Sequence, residues 1–248
     1  MQAPGIQPSS VARPSSTIPL LAAVGAFALS WLGPLAFPFR LLTTIIHELG
    51  HGLAALLTGG TFVRFVVFPD GSGLAYTAGG IPWLIIPAGY LGTAFFGAVL
   101  IMVGRSPRAS RIALGIIGAV LVLLTLRYAL PSVFSVHILS GFLTLGAGLA
   151  LGAALLGVAW KATLPWALGL LNLLAFWIGL SALSDLRVLF QLSTSAGMGS
   201  MTDAHAMAQI TFLPAAFWAI LWVVIALAAL GSAFWYTWIR PRALPGLR

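Results

Sequence analysis

One stretch constrains this chain more than any other: Leu41 to Thr58, reading LLTTIIHELGHGLAALLT. It is apolar and, at about 27 Å as a helix, long enough to lie in a bilayer. Yet it carries His47, Glu48 and His51. Positions i and i+4 of a helix share one face, one turn apart, so both imidazoles can reach a single metal ion. Glu48 stands beside them as a carboxylate able to take a proton from water. His47 would sit roughly 10 Å from the Arg40 end, inside the membrane and nearer one face.

H-E-x-x-H on a helix is the arrangement in which two histidines hold zinc and the glutamate acts as general base for peptide hydrolysis. With 4 His and 4 Asp+Glu in 248 residues, an accidental match has odds on the order of one in a thousand. The competing structural reading is a polar cluster that only ties helices together. Such a cluster bears a cost of roughly 2.5–3.5 kcal/mol per ionisable group at membrane depth, which makes function the default. Composition agrees with that depth. Hydrophobic residues make up 60% of the chain and charged ones 6%, against about 25% charged in a soluble domain. With mean hydropathy at +1.06, this is a polytopic helical membrane protein. The net charge of +8 gathers at helix ends without a basic, aromatic-interleaved stripe, so it speaks for lipid headgroups and against nucleic acid. Cys is absent, which excludes disulfides, thiolate ligands and iron–sulfur sites.

Taken in order, residues 1–16 read as a disordered tail, 17–239 as one membrane domain, and 240–248 as a basic tail. Thr17 to Phe37 is a first span, ended by Pro34 and Pro38. Arg40 opens the histidine helix and Gly59-Gly60 closes it. TFVRFVVF, the turn Pro69-Asp70-Gly71-Ser72-Gly73 and LAYTA then form a hairpin. Its first strand, with Val63, Phe65 and Val67 in alternation, would offer an edge to an extended substrate; an ordinary surface hairpin is the plain alternative. Further helices fall at Ile81–Gly104, Ile112–Ala129, His137–Ala159, Leu164–Leu183 and Thr211–Ile239, with a polar segment, Gln191–Gln209, before the last. Gly148-x-x-x-Gly152 is a helix-packing signal. The fold class is therefore all-α and polytopic, six to seven spans, with a small β-hairpin after the zinc helix.

His47-Glu48-Leu49-Gly50-His51 in a membrane helix, a hairpin directly after it, and Ala88-Gly89-Tyr90-Leu91-Gly92 on the next helix together resemble the site-2 protease family of intramembrane zinc metalloproteases. The likeness is to a compact bacterial-type branch without a PDZ domain. It implies one zinc per chain, His47 and His51 as ligands, Glu48 as base, and cleavage within or near a transmembrane segment of a membrane-protein substrate. It also implies a multi-pass protein of a bacterial cell membrane, and a third ligand, an aspartate on a later helix. Three carboxylates remain for that role. Asp70 sits in the hairpin turn, and Asp203 precedes an apolar run where it can cap a helix. Asp185 has no such competing task, so elimination favours Asp185, with Asp203 its rival. Asn172 would reach the site only if its helix breaks, and it stays out of the catalytic set. His137 and His205 are isolated and read as packing or interfacial groups.

Other functions remain open at this point. A catalytically silent zinc-binding regulator would bind metal without turnover, and a metal transporter would need more acidic residues than this chain has. Membrane orientation stays open too. Alternating spans put Arg40 and the Arg105–Arg111 loop on the side that the positive-inside rule makes cytoplasmic, whereas the resemblance implies the hairpin side. Oligomeric state is not legible.

Overall fold

In lipid, every backbone polar group must find a partner inside the segment, so apolar runs fold as helices and their breaks fall at Pro and Gly. The computed structural model describes residues 17–194 and 202–240, and the backbone alone for 185–194. The tail expected at 1–16 and, beyond Arg240, the one expected at 240–248 lie outside the described residues, as does the side chain of Asp185. The helices are α1 (Thr17–Leu29), α2 (Phe37–Leu57), α3 (Pro82–Ile85), α4 (Ala88–Val103), α5 (Pro107–Leu124), α6 (Ile138–Lys161), α7 (Leu164–Thr194), α8 (Asp203–Gln209) and α9 (Ala215–Phe234). A two-stranded antiparallel sheet, β1 (Thr61–Val67) and β2 (Gly73–Ala78), follows α2. Among the described residues, four helical stretches are long and apolar enough to cross a membrane: Pro107–Phe134, Ile138–Lys161, Leu164–Ser184 and Ala215–Ile239. The six to seven spans expected from hydropathy are not reached on that criterion. α1 and α4 are apolar but only 13 and 16 residues long, and α2 is diluted by Arg40, Thr43, Thr44 and the His-Glu-His group.

The boundaries of α2 show why. Pro34 and Pro38 do not merely end the first helix. Pro38 occupies the first turn of α2, where a missing N–H costs nothing and the fixed φ favours entry. A short 3-10 turn, Gly33–Ala36, links the two helices. At the other end Gly59 has φ +81°, Gly60 N–H donates to Ala55 O at 2.8 Å, and Gly59 N–H to Leu56 O at 3.3 Å. That is a Schellman stop, as Gly59-Gly60 predicts. α7 runs unbroken past Asn172, whose amide donates to Gly104 O and Leu168 O, each at 2.9 Å. Asn172 is thus a buried tie between helices, away from the histidines.

The glycines of α2 and α4 let the two backbones touch. A β-carbon on Gly50 would run into the Ala88 carbonyl, while Gly92 has ordinary room against Gly50. Gly152 meets Gly118 O and Val122 on α5 in the same way, so the Gly148/Gly152 signal is indeed packing. The hairpin lies on the opposite flank of α2, with the Phe62 ring filling the space that Gly52 leaves.

The two edges of that hairpin differ. β1 is buried at its end: Phe65, Val66 and Val67 are 0% exposed. Its outer main chain already has partners, since Ser132 Oγ donates to Phe65 O at 2.7 Å and Val67 N–H to Thr144 Oγ1 at 2.7 Å. Of the expected substrate-strand residues, Phe65 and Val67 are core, and Val63 stands half-exposed at a β-bulge between Phe62 and Arg64. Phe65 pairs with Ala75 and Val67 with Gly73. In an antiparallel ladder, residues whose polar groups point outward sit opposite each other. The outward-facing groups of β2 are therefore those of Gly73 and Ala75, on the edge toward α2.

Candidate metal centre and active site

The i, i+4 spacing brings the rings of His47 and His51 together, with Nε2 atoms 3.1 Å apart. Asp203 completes a triangle, its Oδ2 at 3.4 Å from His47 Nε2 and 3.3 Å from His51 Nε2. These three form the metal-holding group found among the described residues. Four ligands at about 2.0–2.1 Å around a tetrahedral zinc stand about 3.3 Å from each other, so the triangle fits that ion and leaves a fourth direction open. His51 Nδ1 lies 2.8 Å from Ile85 O, and a carbonyl only accepts, so Nδ1 carries the proton. The neutral ring then presents a lone pair at Nε2, the side facing the triangle. That carbonyl is available because α3 is one turn long and leaves its last C=O groups unpaired.

A local cap and packing on α9 together deliver Asp203. Thr202 is the N-cap of α8, its hydroxyl accepting from His205 N–H at 3.4 Å and lying 2.9 Å from His205 Nδ1. Asp203 is therefore the first residue of α8 and not its cap, and His205 is engaged in the cap. Ala204 and Met207 are buried against Ala215, Trp218 and Trp222 of α9, which holds α8 against the site. Gly89 of α4 faces both imidazoles. A β-carbon there would fall well inside contact distance of His47 Nε2 and His51 Nε2, so glycine keeps the space between them clear. Tyr90 braces the His47 ring edge-on, centroids 4.5 Å apart.

Glu48 is 5% exposed and lies against β2. Ala75 N–H, one of the outward groups of that strand, faces its carboxylate. A β-carbon on Gly73 would come within 2.5 Å of Glu48 Oε1, so this strand reaches the carboxylate because residue 73 has no side chain. The histidines, Glu48, Asp203 and β2 border a cavity of about 720 Å3 that extends to Arg40 and the hairpin turn.

A family model, Peptidase M50B-like, matches residues 20–233. The chain belongs to this family, the site-2 proteases. No curated protein and no solved structure matches it. M50 proteins are metallopeptidases of the membrane, and the four apolar helices accord with an integral membrane protein.

For this M50B-like chain, the sequence-expected His47, Glu48 and His51 meet at one cavity wall. Asp185 is carried on α7, its side chain outside the described residues, and the carboxylate beside the imidazoles is that of Asp203. His137 lies elsewhere, edge-on to Phe68 at 5.3 Å. Sequence reasoning missed Gly73, Ala75 and the Ile85 carbonyl. Main-chain groups leave no residue-type signal, although Gly73 after a Pro-Asp-Gly turn could have marked a close approach. The Thr202-x-x-His205 cap likewise marked the start of α8.

Proposed function

We propose that this chain is an intramembrane zinc endopeptidase that hydrolyses a peptide bond within or near a transmembrane segment of a membrane-protein substrate. The observation that carries the reading is the His47–His51–Asp203 triangle with Glu48 beside it, opening on a cavity bordered by the outward edge of β2. Zinc, held by His47, His51 and Asp203, would supply Lewis acidity toward water and the scissile carbonyl. The residues do the rest. Glu48 takes a proton from the attacking water as its oxygen bonds to the carbonyl carbon. The same carboxyl then gives that proton to the departing amine as the C–N bond breaks. Ala75 N–H keeps the Glu48 carboxylate aimed, and the Ile85 carbonyl keeps His51 in one tautomer. An intact substrate helix hides its carbonyls in its own hydrogen bonds, so it must be extended locally; the outward main chain of β2 is the edge supporting that.

The direct test is cleavage of a transmembrane model peptide by the purified protein, with products identified by mass. Loss of cleavage on metal chelation and recovery on adding zinc are expected. No cleavage of any transmembrane peptide at full zinc loading would leave a silent metal-binding protein instead.

The third ligand is tested by metal content. Asp203→Asn should lower the zinc-to-protein ratio well below that of the wild type, because two histidines alone under-coordinate the ion. Asp185→Asn should retain it. The opposite pattern would return the role to Asp185.

A further expectation concerns the strand. Ala75→Pro removes the N–H held by Glu48, so kcat should fall while zinc stays bound. Unchanged turnover would show that the carboxylate needs no such support.

A further inference from the structure

The cavity has a charged end that this hydrolysis scheme leaves unused. Arg40 is the one Lys or Arg side chain among its described lining residues. It is exposed, and its Nη2 donates to the main-chain oxygen of Asp70 at 3.1 Å. Gly71 passes beneath it, and even a β-carbon there would come within 3.0 Å of Nη2. Thr44 Oγ1 fixes the same turn by donating to Gly71 O at 2.7 Å. The obvious counter-ion is Asp70, yet its carboxylate is folded into its own turn. Its Oδ1 accepts from Ser72 N–H at 2.9 Å and from Ser72 Oγ at 2.7 Å. The Ser72 N–H first, then the Ser72 hydroxyl, hold the Asp70 carboxyl below its ordinary range; Arg40 contributes least. Among the described residues no carboxylate reaches ion-pair distance of Arg40. Its guanidinium is bonded to a neutral carbonyl and lines the cavity without an anion among the described residues.

We propose that Arg40 is a specificity-determining residue that binds an Asp or Glu side chain of the substrate and so sets which peptide bond reaches Glu48. This rests on the protease reading above. A guanidinium is the side chain best shaped to hold a carboxylate with two parallel hydrogen bonds. Arg40 precedes Glu48 by eight residues of helix, about 12 Å. An extended chain at about 3.3 Å per residue covers that distance in three or four residues. The acidic residue therefore lies about three or four positions from the cut bond, on the side toward the hairpin turn. Carboxylates are costly in the middle of a transmembrane segment. The substrates selected are thus segments with an acidic residue close to one membrane boundary.

The test uses the full chain in liposomes with model transmembrane peptides in which a single Asp, Asn or Lys is walked past the cleaved bond. Wild type should cleave best with Asp three or four positions away, about three- to fivefold above Asn in kcat/KM, with Lys poorest. Arg40→Lys should keep the Asp preference and Arg40→Glu should reverse it toward Lys, with zinc content unchanged in both. If Arg40 only anchors the hairpin, Arg40→Glu will slow all three peptides by the same factor, which overturns the proposal. Equal cleavage of all three by wild type overturns it as well and leaves the protease reading standing. Failure of wild type to cleave any peptide removes both.

Discussion

Glu48→Gln is expected to leave the metal content of the purified protein unchanged and to lower peptide hydrolysis by about 10²–10⁴-fold, the usual cost of a lost general base. The substitution is nearly isosteric, which matters because the slot is tight: Gly73 abuts Oε1 with no room for a β-carbon. The amide oxygen can still accept from Ala75 N–H, so position is kept while basicity goes. The group that could hold a metal, His47, His51 and Asp203, does not include Glu48, so metal should survive. Zinc-to-protein ratio and turnover, measured on one preparation, separate the two roles. Near-normal proteolysis in this variant would remove Glu48 from the mechanism, and zinc loss would make it a ligand.

Gly89→Ala should abolish both zinc binding and hydrolysis, although it adds a single methyl group at a residue that coordinates nothing. The added carbon would collide with Nε2 of both histidines, in the space between them. α4 cannot easily retreat from α2, because its other faces pack on α7 and α9, and protein interiors yield little to an added methylene. Gly92→Ala is the matched control. It lies one turn further along α4, where a β-carbon would stand 3.8 Å from the Gly50 α-carbon, an ordinary contact. It should therefore keep near-normal zinc and activity. A Gly89→Ala protein that holds wild-type zinc would show that the imidazoles have freedom the packing denies them.

The sequence by itself determined what is local. The i, i+4 histidines, the Gly59-Gly60 stop and the Pro-Asp-Gly turn each depend on residues within a turn or two of one another, and each stands where its pattern predicts. Hydropathy likewise determined that the chain belongs in a membrane, since an apolar composition excludes a soluble alternative. Tertiary structure decided whatever depends on contacts between distant segments. The sequence pointed to β1, through Val63, Phe65 and Val67, as the edge for a substrate. β1 loses its outer edge to Ser132 and Thr144, 67 and 77 residues further along, which leaves β2 to border the cavity. The position of Asp203 is of the same kind. In sequence, Asp203 looks like a helix cap. Thr202 takes the cap, and packing of Met207 and Ala204 on α9 turns Asp203 toward the imidazoles. A capping preference is a free energy of about 1 kcal/mol, and burial of an apolar helix face outweighs it; that burial is set by partners the local sequence does not contain.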